Sequence, residues 1–166
     1  MDRKSIIIKA AIIVLMVAMD IVLTRYLSIE TPLLRISFGF VPIAFVAMKY
    51  GWLTAGLAAT IANLIGVWLG PFGFFPGFTL TAFLTGAVYG FVLHKNPGKP
   101  LNIVIAAAIV TIVLNLGLDT IWIMIIQDAQ FQELFWARIW RTAIMLPLQI
   151  VFIFILSRVA KFAKLI

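Results

Sequence analysis

The chain has no cysteine and one histidine, His94. Without cysteine there is no disulfide, no thiol nucleophile and no thiolate metal site. One histidine builds neither a histidine-cluster metal site nor a histidine triad. Charge is scarce as well: 11% of residues are Asp, Glu, Lys or Arg, where soluble domains carry about a quarter. The phosphate-cradling pattern GxxxxGK[ST] is absent, so this chain offers no such site for ATP. What fills the sequence instead is apolar: 64% of its 166 residues are hydrophobic and the mean hydropathy is +1.15. That composition predicts an integral membrane protein with a single domain, residues 1–166.

Apolar runs between polar or Gly/Pro-rich breaks predict six helices, over about residues 5–27, 36–49, 52–69, 78–94, 101–126 and 134–161. The fold class is therefore all-α, a six-transmembrane-helix bundle. The first helix follows a basic start, MDRKSIIIKA, with no small-residue cleavage site behind it, so it is expected to be retained. The second is short and carries Gly39 and Pro42, which predicts a kinked or unwound start. Tyr50-Gly51 reads as a tight turn, and KNPGKP at Lys95–Pro100 as a polar one.

Between the third and fourth helices lies GPFGFFPG, Gly70–Gly77. Glycine and proline end a helix there, yet the break is aromatic rather than polar. It is either a loop packed at the bilayer interface, where aromatic residues gather, or a wall over a ligand. Small residues recur every four positions on both flanking helices, at Ala58, Ala62, Gly66 and Gly70 and at Ala82, Gly86 and Gly90. Such stripes allow close helix contact, either within the bundle or against another membrane protein.

Cations sit at helix ends, which marks topology rather than a nucleic-acid surface. With the N-terminus inside, nine fall on the cytoplasmic side (Arg3, Lys4, Lys9, Lys49, Lys95, Lys99, Arg158, Lys161, Lys164) and four outside: Arg25, Arg35, Arg138 and Arg141. Both termini are then cytoplasmic. All four outer cations are arginine, whose planar fork grips carboxylates bidentately; alternatively they reach headgroups or pair with Glu30, Asp128 and Glu133. Asp20 and Asp119 lie within helices, where charge is costly and points to function. Asp20 has Arg25 or another cation as a possible partner. Asn63 and Asp119 either read the donor and acceptor edges of a heterocycle or hold helices together. Trp68, Phe74, Phe75, Trp122, Trp136 and Trp140 offer flat apolar surface, for a ligand or for the core and interfacial belt.

RISFGFVPIAF at Arg35–Phe45, ANLIG at Ala62–Gly66 and FFPGFTLTAFLTGAVYG at Phe74–Gly90 resemble the folate-specific S-component (FolT type) of energy-coupling factor (ECF) transporters. The likeness extends over nearly the whole chain. It implies a non-catalytic subunit in the bacterial cell membrane that captures folate from outside. It also implies two kinds of partner, a transmembrane coupling subunit and two cytosolic ATPases, and three loops over the pocket: Ser28–Arg35, Gly70–Gly77 and Gln127–Glu133. The chemistry would follow the ligand. Asn63 and Asp119 would meet the pterin edge, Trp68, Phe74, Phe75 and Trp122 the rings, and Arg25, Arg35, Arg138 and Arg141 the two carboxylates of the glutamate tail. S-components often carry an AxxxA docking pattern in the first helix; Ala10, Ala11 and Ala18 include no pair four apart. Two rival readings compete with it: an S-component for another vitamin or pterin-like ligand, and a membrane enzyme using Asp20 and Asp119 as acid and base. A cationic vitamin such as thiamine would call for outer carboxylates, and the outer face is rich in arginine.

Overall fold

Prolines mark where three of the helices begin. In the computed structural model of the chain, Pro76 and Pro100 open helices, and Pro42 falls in a first turn. There the missing N–H costs nothing, because the first four amides have no partner in the helix. The elements are α1 (Arg3–Arg25), β1 (Ile29–Glu30), β2 (Arg35–Ile36), α2 (Phe40–Tyr50), α3 (Trp52–Trp68), α4 (Pro76–Leu93), α5 (Pro100–Ala108), a π-helical stretch (Ile109–Leu118), α6 (Asp119–Gln127) and α7 (Phe131–Phe162). α5, the π-helical stretch and α6 run on without a break, so the chain makes six rods, the number expected from its sequence. The structure describes residues 3–30, 35–69, 73–127 and 131–163. Pro32, Gly70, Pro71, Phe72 and Asp128 lie outside them, as do the side chains of Glu30, Arg35 and Glu133.

Among the described residues, four helical segments are long and apolar enough to cross a membrane: Arg3–Arg25, Pro76–Leu93, Pro100–Ile126 and Arg138–Phe162. α2 and α3 are shorter. α2 differs most from expectation, starting at Phe40 rather than near residue 36. Arg35 and Ile36 instead pair antiparallel with Glu30 and Ile29, and Ser37–Gly39 is not helical. Eleven residues at 1.5 Å each cover about half of a 30 Å hydrocarbon core. The non-helical Ser37–Gly39 precedes α2, and a membrane tolerates irregular backbone only where it is covered by protein or lines a cavity.

α2 is the heart of the bundle. Ile43, Ala44, Val46 and Ala47 are buried there, with Ala55 and Ala58 of α3, Tyr89 and Leu93 of α4, Ile103 and Ala106 of α5, and Ile153 of α7. α1 is peripheral, with Val17 its one buried residue. The small-residue stripe of α4 packs within the molecule. A Cβ on Gly86 would lie 2.3 Å from the Ala55 carbonyl oxygen, and one on Gly90 would lie 2.2 Å from Trp52 Cα. Gly51 closes the tight turn between α2 and α3 at φ +84°, the left-handed region that favours glycine.

The rods have two unlike ends. At one, Lys9 Nζ lies over the Tyr50 ring, His94 Nδ1 is 3.0 Å from the Met48 carbonyl, and the Lys161 ammonium sits against Gly98. α1 begins and α7 ends there. Arg25, Arg138 and Arg141 are at the other end, with the aromatic break.

Candidate functional site

The arginine end contains a cavity of about 280 Å³, near the lower bound for small-molecule sites. Its existence follows from the short α2 and from small residues on α3. Ser37 and Gly39 of the non-helical segment line it, as do Ala59, Ala62 and Gly66 of α3. A Cβ at Gly66 would meet nothing within 4 Å. Polar groups converge on this space from five directions: Asp20, Thr24 and Arg25 from α1, Asn63 from α3, Thr85 from α4, Asn115 from the π-helical stretch, and Arg141 and Gln149 from α7.

Each is held by its own neighbours. Arg25 Nη2 donates to the Gly66 carbonyl at 2.7 Å. That oxygen lies in the last turn of α3, where carbonyls lack an amide partner and favour a cation. Arg25 therefore ties α1 to α3 and does not pair with Asp20. Thr79 donates to Asn63 Oδ1 at 3.1 Å, which leaves the Asn63 amide N–H groups for the cavity. The Gln149 oxygen lies 3.0 Å from the Tyr89 hydroxyl and 3.2 Å from Thr111 Oγ1, joining three rods at the cavity wall.

Arg138 and Asp119 stand beside the cavity, not in its wall. Their closest approach is 3.8 Å, and Arg138 is only 6% exposed. The π-helical stretch explains what holds the arginine. Its last bond runs from the Asp119 N–H to the Leu114 carbonyl, five residues back. Where this spacing reverts to four, one carbonyl is skipped, and Arg138 Nη2 donates to the next one, Asn115, at 2.9 Å. Asp119 Oδ1 and Arg138 Nε and Nη1 are buried with no hydrogen-bond partner among the described residues.

Of the residues selected from the sequence, Arg25, Asn63 and Arg141 line the cavity. Asp119 and Arg138 pair behind it. Phe75 and Trp122 form a tilted ring pair at 5.8 Å, packed on bare Gly77, and Trp122 Nε1 donates to Thr81 at 3.1 Å. Neither ring lines the cavity. Trp68 and Phe74 are 85% and 59% exposed and face away, as aromatic residues at a membrane interface do. Arg35 belongs to β2, its side chain outside the described set. Sequence reasoning did not place Asp20, Thr24, Ser37, Thr85 or Gln149 in the site. The available signal was a polar side chain in an otherwise apolar run, clearest for Gln149 in LPLQIVF.

A bundle of apolar rods around a polar, arginine-flanked cavity has the build of a multi-pass membrane protein with room for a small ligand between its helices. The chain belongs to the family of ECF transporter substrate-specific components, which it matches over residues 9–159. It is 36% identical to a folate transporter FolT of Clostridium novyi (strain NT) over 160 residues, covering 90% of this chain and 93% of the relative. It is 30% identical to a folate transporter FolT of Leuconostoc mesenteroides subsp. mesenteroides, covering 84% and 78%. A crystal structure of FolT bound with folic acid superposes with a TM-score of 0.83 at 32% identity, covering 89% of this chain and 93% of that one.

Proposed function

We propose that this chain is the folate-capturing subunit of an ECF-type transporter, and that folate enters the cavity at the arginine end. The observation that carries this is the cavity with Arg25 and Arg141 in its wall, in a fold that matches a protein solved with folic acid. Folate joins a flat pterin to a glutamate with two carboxylates. Arg25 and Arg141 are placed to serve those carboxylates, and Asn63 to donate to a ring carbonyl. Phe75 and Trp122 are the half-buried rings best placed to cover the aromatic part. Arg138, paired with Asp119, orders the wall from behind.

The chain works in the bacterial plasma membrane with both termini in the cytoplasm, and its loops admit folate from outside. Uptake is driven by partners, a transmembrane coupling subunit and two cytosolic ATPases; this chain binds and delivers and does not turn its ligand over. Calorimetry on the detergent-purified chain tests the reading, with folic acid, thiamine and a pterin lacking the glutamate tail as ligands. Tight one-to-one binding of folic acid is expected, with much weaker binding of the tailless pterin and none of thiamine. Failure of folic acid to bind would overturn the assignment.

A further inference from the structure

We infer that Asp20 is the residue that reads the ligand's heterocycle: its carboxylate accepts the paired N–H groups of a cyclic 2-amino-lactam edge, which in the folate reading on which this rests is the 2-amino and N3–H edge of the pterin. Asp20 lies in the cavity wall, towards the outer end of α1. Among the described residues no cation is in ion-pair reach of it. Arg25, five positions on, is turned by about 140° around the helix and donates to Gly66 instead. The Thr24 hydroxyl donates to Asp20 Oδ1 at 3.0 Å, which fixes the carboxylate while leaving most of its roughly four acceptor positions unused.

A carboxylate inside a membrane protein without a counter-ion is costly. The structure nevertheless makes room for this one. A Cβ on Gly39 would lie 2.0 Å from Asp20 Oδ1 and 2.2 Å from Thr24 Oγ1. The bare glycine is what lets Asp20 and Thr24 lean into the gap left by the short α2, so that the carboxylate belongs to the cavity. The partner that suits it is a ligand edge with two parallel N–H donors, the geometry by which a guanidinium meets a carboxylate. Asn63, in the same wall with its oxygen taken by Thr79, supplies a donor for the ring carbonyl beside that edge. Asp20 and Asn63 together thus complement an N–H, N–H, C=O sequence, while the two arginines serve the acidic tail.

The test measures binding of two ligands to the full chain by calorimetry: folic acid, and a folate analogue with methyl in place of the 2-amino group. The unaltered chain should prefer folic acid by about 10- to 150-fold, as loss of a hydrogen bond to a charged group implies. Asp20→Asn should weaken folic acid by about 100-fold and the methyl analogue, which keeps N3–H but has lost the second donor, by about 10-fold or less, so the preference shrinks by about 10-fold. Equal losses for both ligands, or a preference that survives undiminished, would overturn the proposal. Thr24→Val provides a second test if Asp20→Asn does not purify. It should weaken folic acid by about 3- to 10-fold and the methyl analogue, with one donor fewer on that carboxylate, by less, and equal losses here overturn the proposal as well. Failure of the unaltered chain to bind folic acid would instead remove the folate reading beneath it.

Discussion

Arg138 and Arg141 sit three residues apart on α7, yet the structure gives them different work. Arg138 is buried, donates to the Asn115 carbonyl and lies near Asp119. Arg138→Ala leaves Asp119 buried without its cation, a loss of about 3–5 kcal/mol. A large drop in the unfolding temperature of the ligand-free protein in detergent is expected, and replacing Asp119 and Arg138 together by leucine should restore much of it. Arg141→Ala removes a charge from the cavity wall. Folate affinity should fall by about 10- to 100-fold, with little change for a tailless pterin. Equal effects on both ligands would show that Arg141 does not hold the tail. The residue types at this end were legible in the sequence, because arginine and intramembrane Asp stand out in so apolar a chain. Their partners were not. A helical wheel places Arg25 off the face of Asp20, but only the fold supplies the orphan Gly66 carbonyl that takes it. The carbonyl that takes Arg138 exists because of a π-helical stretch, which leaves no mark in the hydrophobic pattern.

At the level of elements, the six rods were legible because each needs a long apolar run and each break carries glycine, proline or charge. The start of α2 was legible only in part. Pro42 signalled an irregularity, but a proline in the first turn of a helix is as acceptable as one that kinks it, and the choice was made by the antiparallel pairing of Arg35–Ile36 with Ile29–Glu30. That late start opens the cavity. The glycine stripes looked alike in the sequence and divide in the structure. Gly86 presses on the backbone of α3, whereas Gly66 faces open space. Gly86→Leu should therefore part α3 from α4 and cost about 1–3 kcal/mol or more. Gly66→Ala should be neutral or stabilising by up to about 1 kcal/mol, since alanine is the better helix former. Thermal unfolding of the two variants side by side checks this; similar losses would mean that the stripes pack alike.

At the level of the whole molecule, the two ends differ in chemistry, and the difference predicts an orientation. Lys9, His94 and Lys161 gather at one end with the turns beside them, while Arg25 and Arg141 line the cavity at the other. Membrane insertion keeps Lys- and Arg-rich short loops in the cytoplasm, so the cavity end should face outside, where a scavenged nutrient is met. The absence of cysteine makes this directly testable, because one introduced thiol reports one position. Gly73 is exposed in the aromatic break, and a Cβ there would meet nothing within 4 Å; Lys95 is exposed at the opposite end. Gly73→Cys should react with a membrane-impermeant maleimide on intact cells, and Lys95→Cys only after the membrane is opened. If the Gly73 thiol also lies over the occupied cavity, folic acid should slow its labelling and leave that of position 95 unchanged. The reverse labelling pattern would turn the molecule over and place the cavity on the cytoplasmic side, where it could not serve capture from outside.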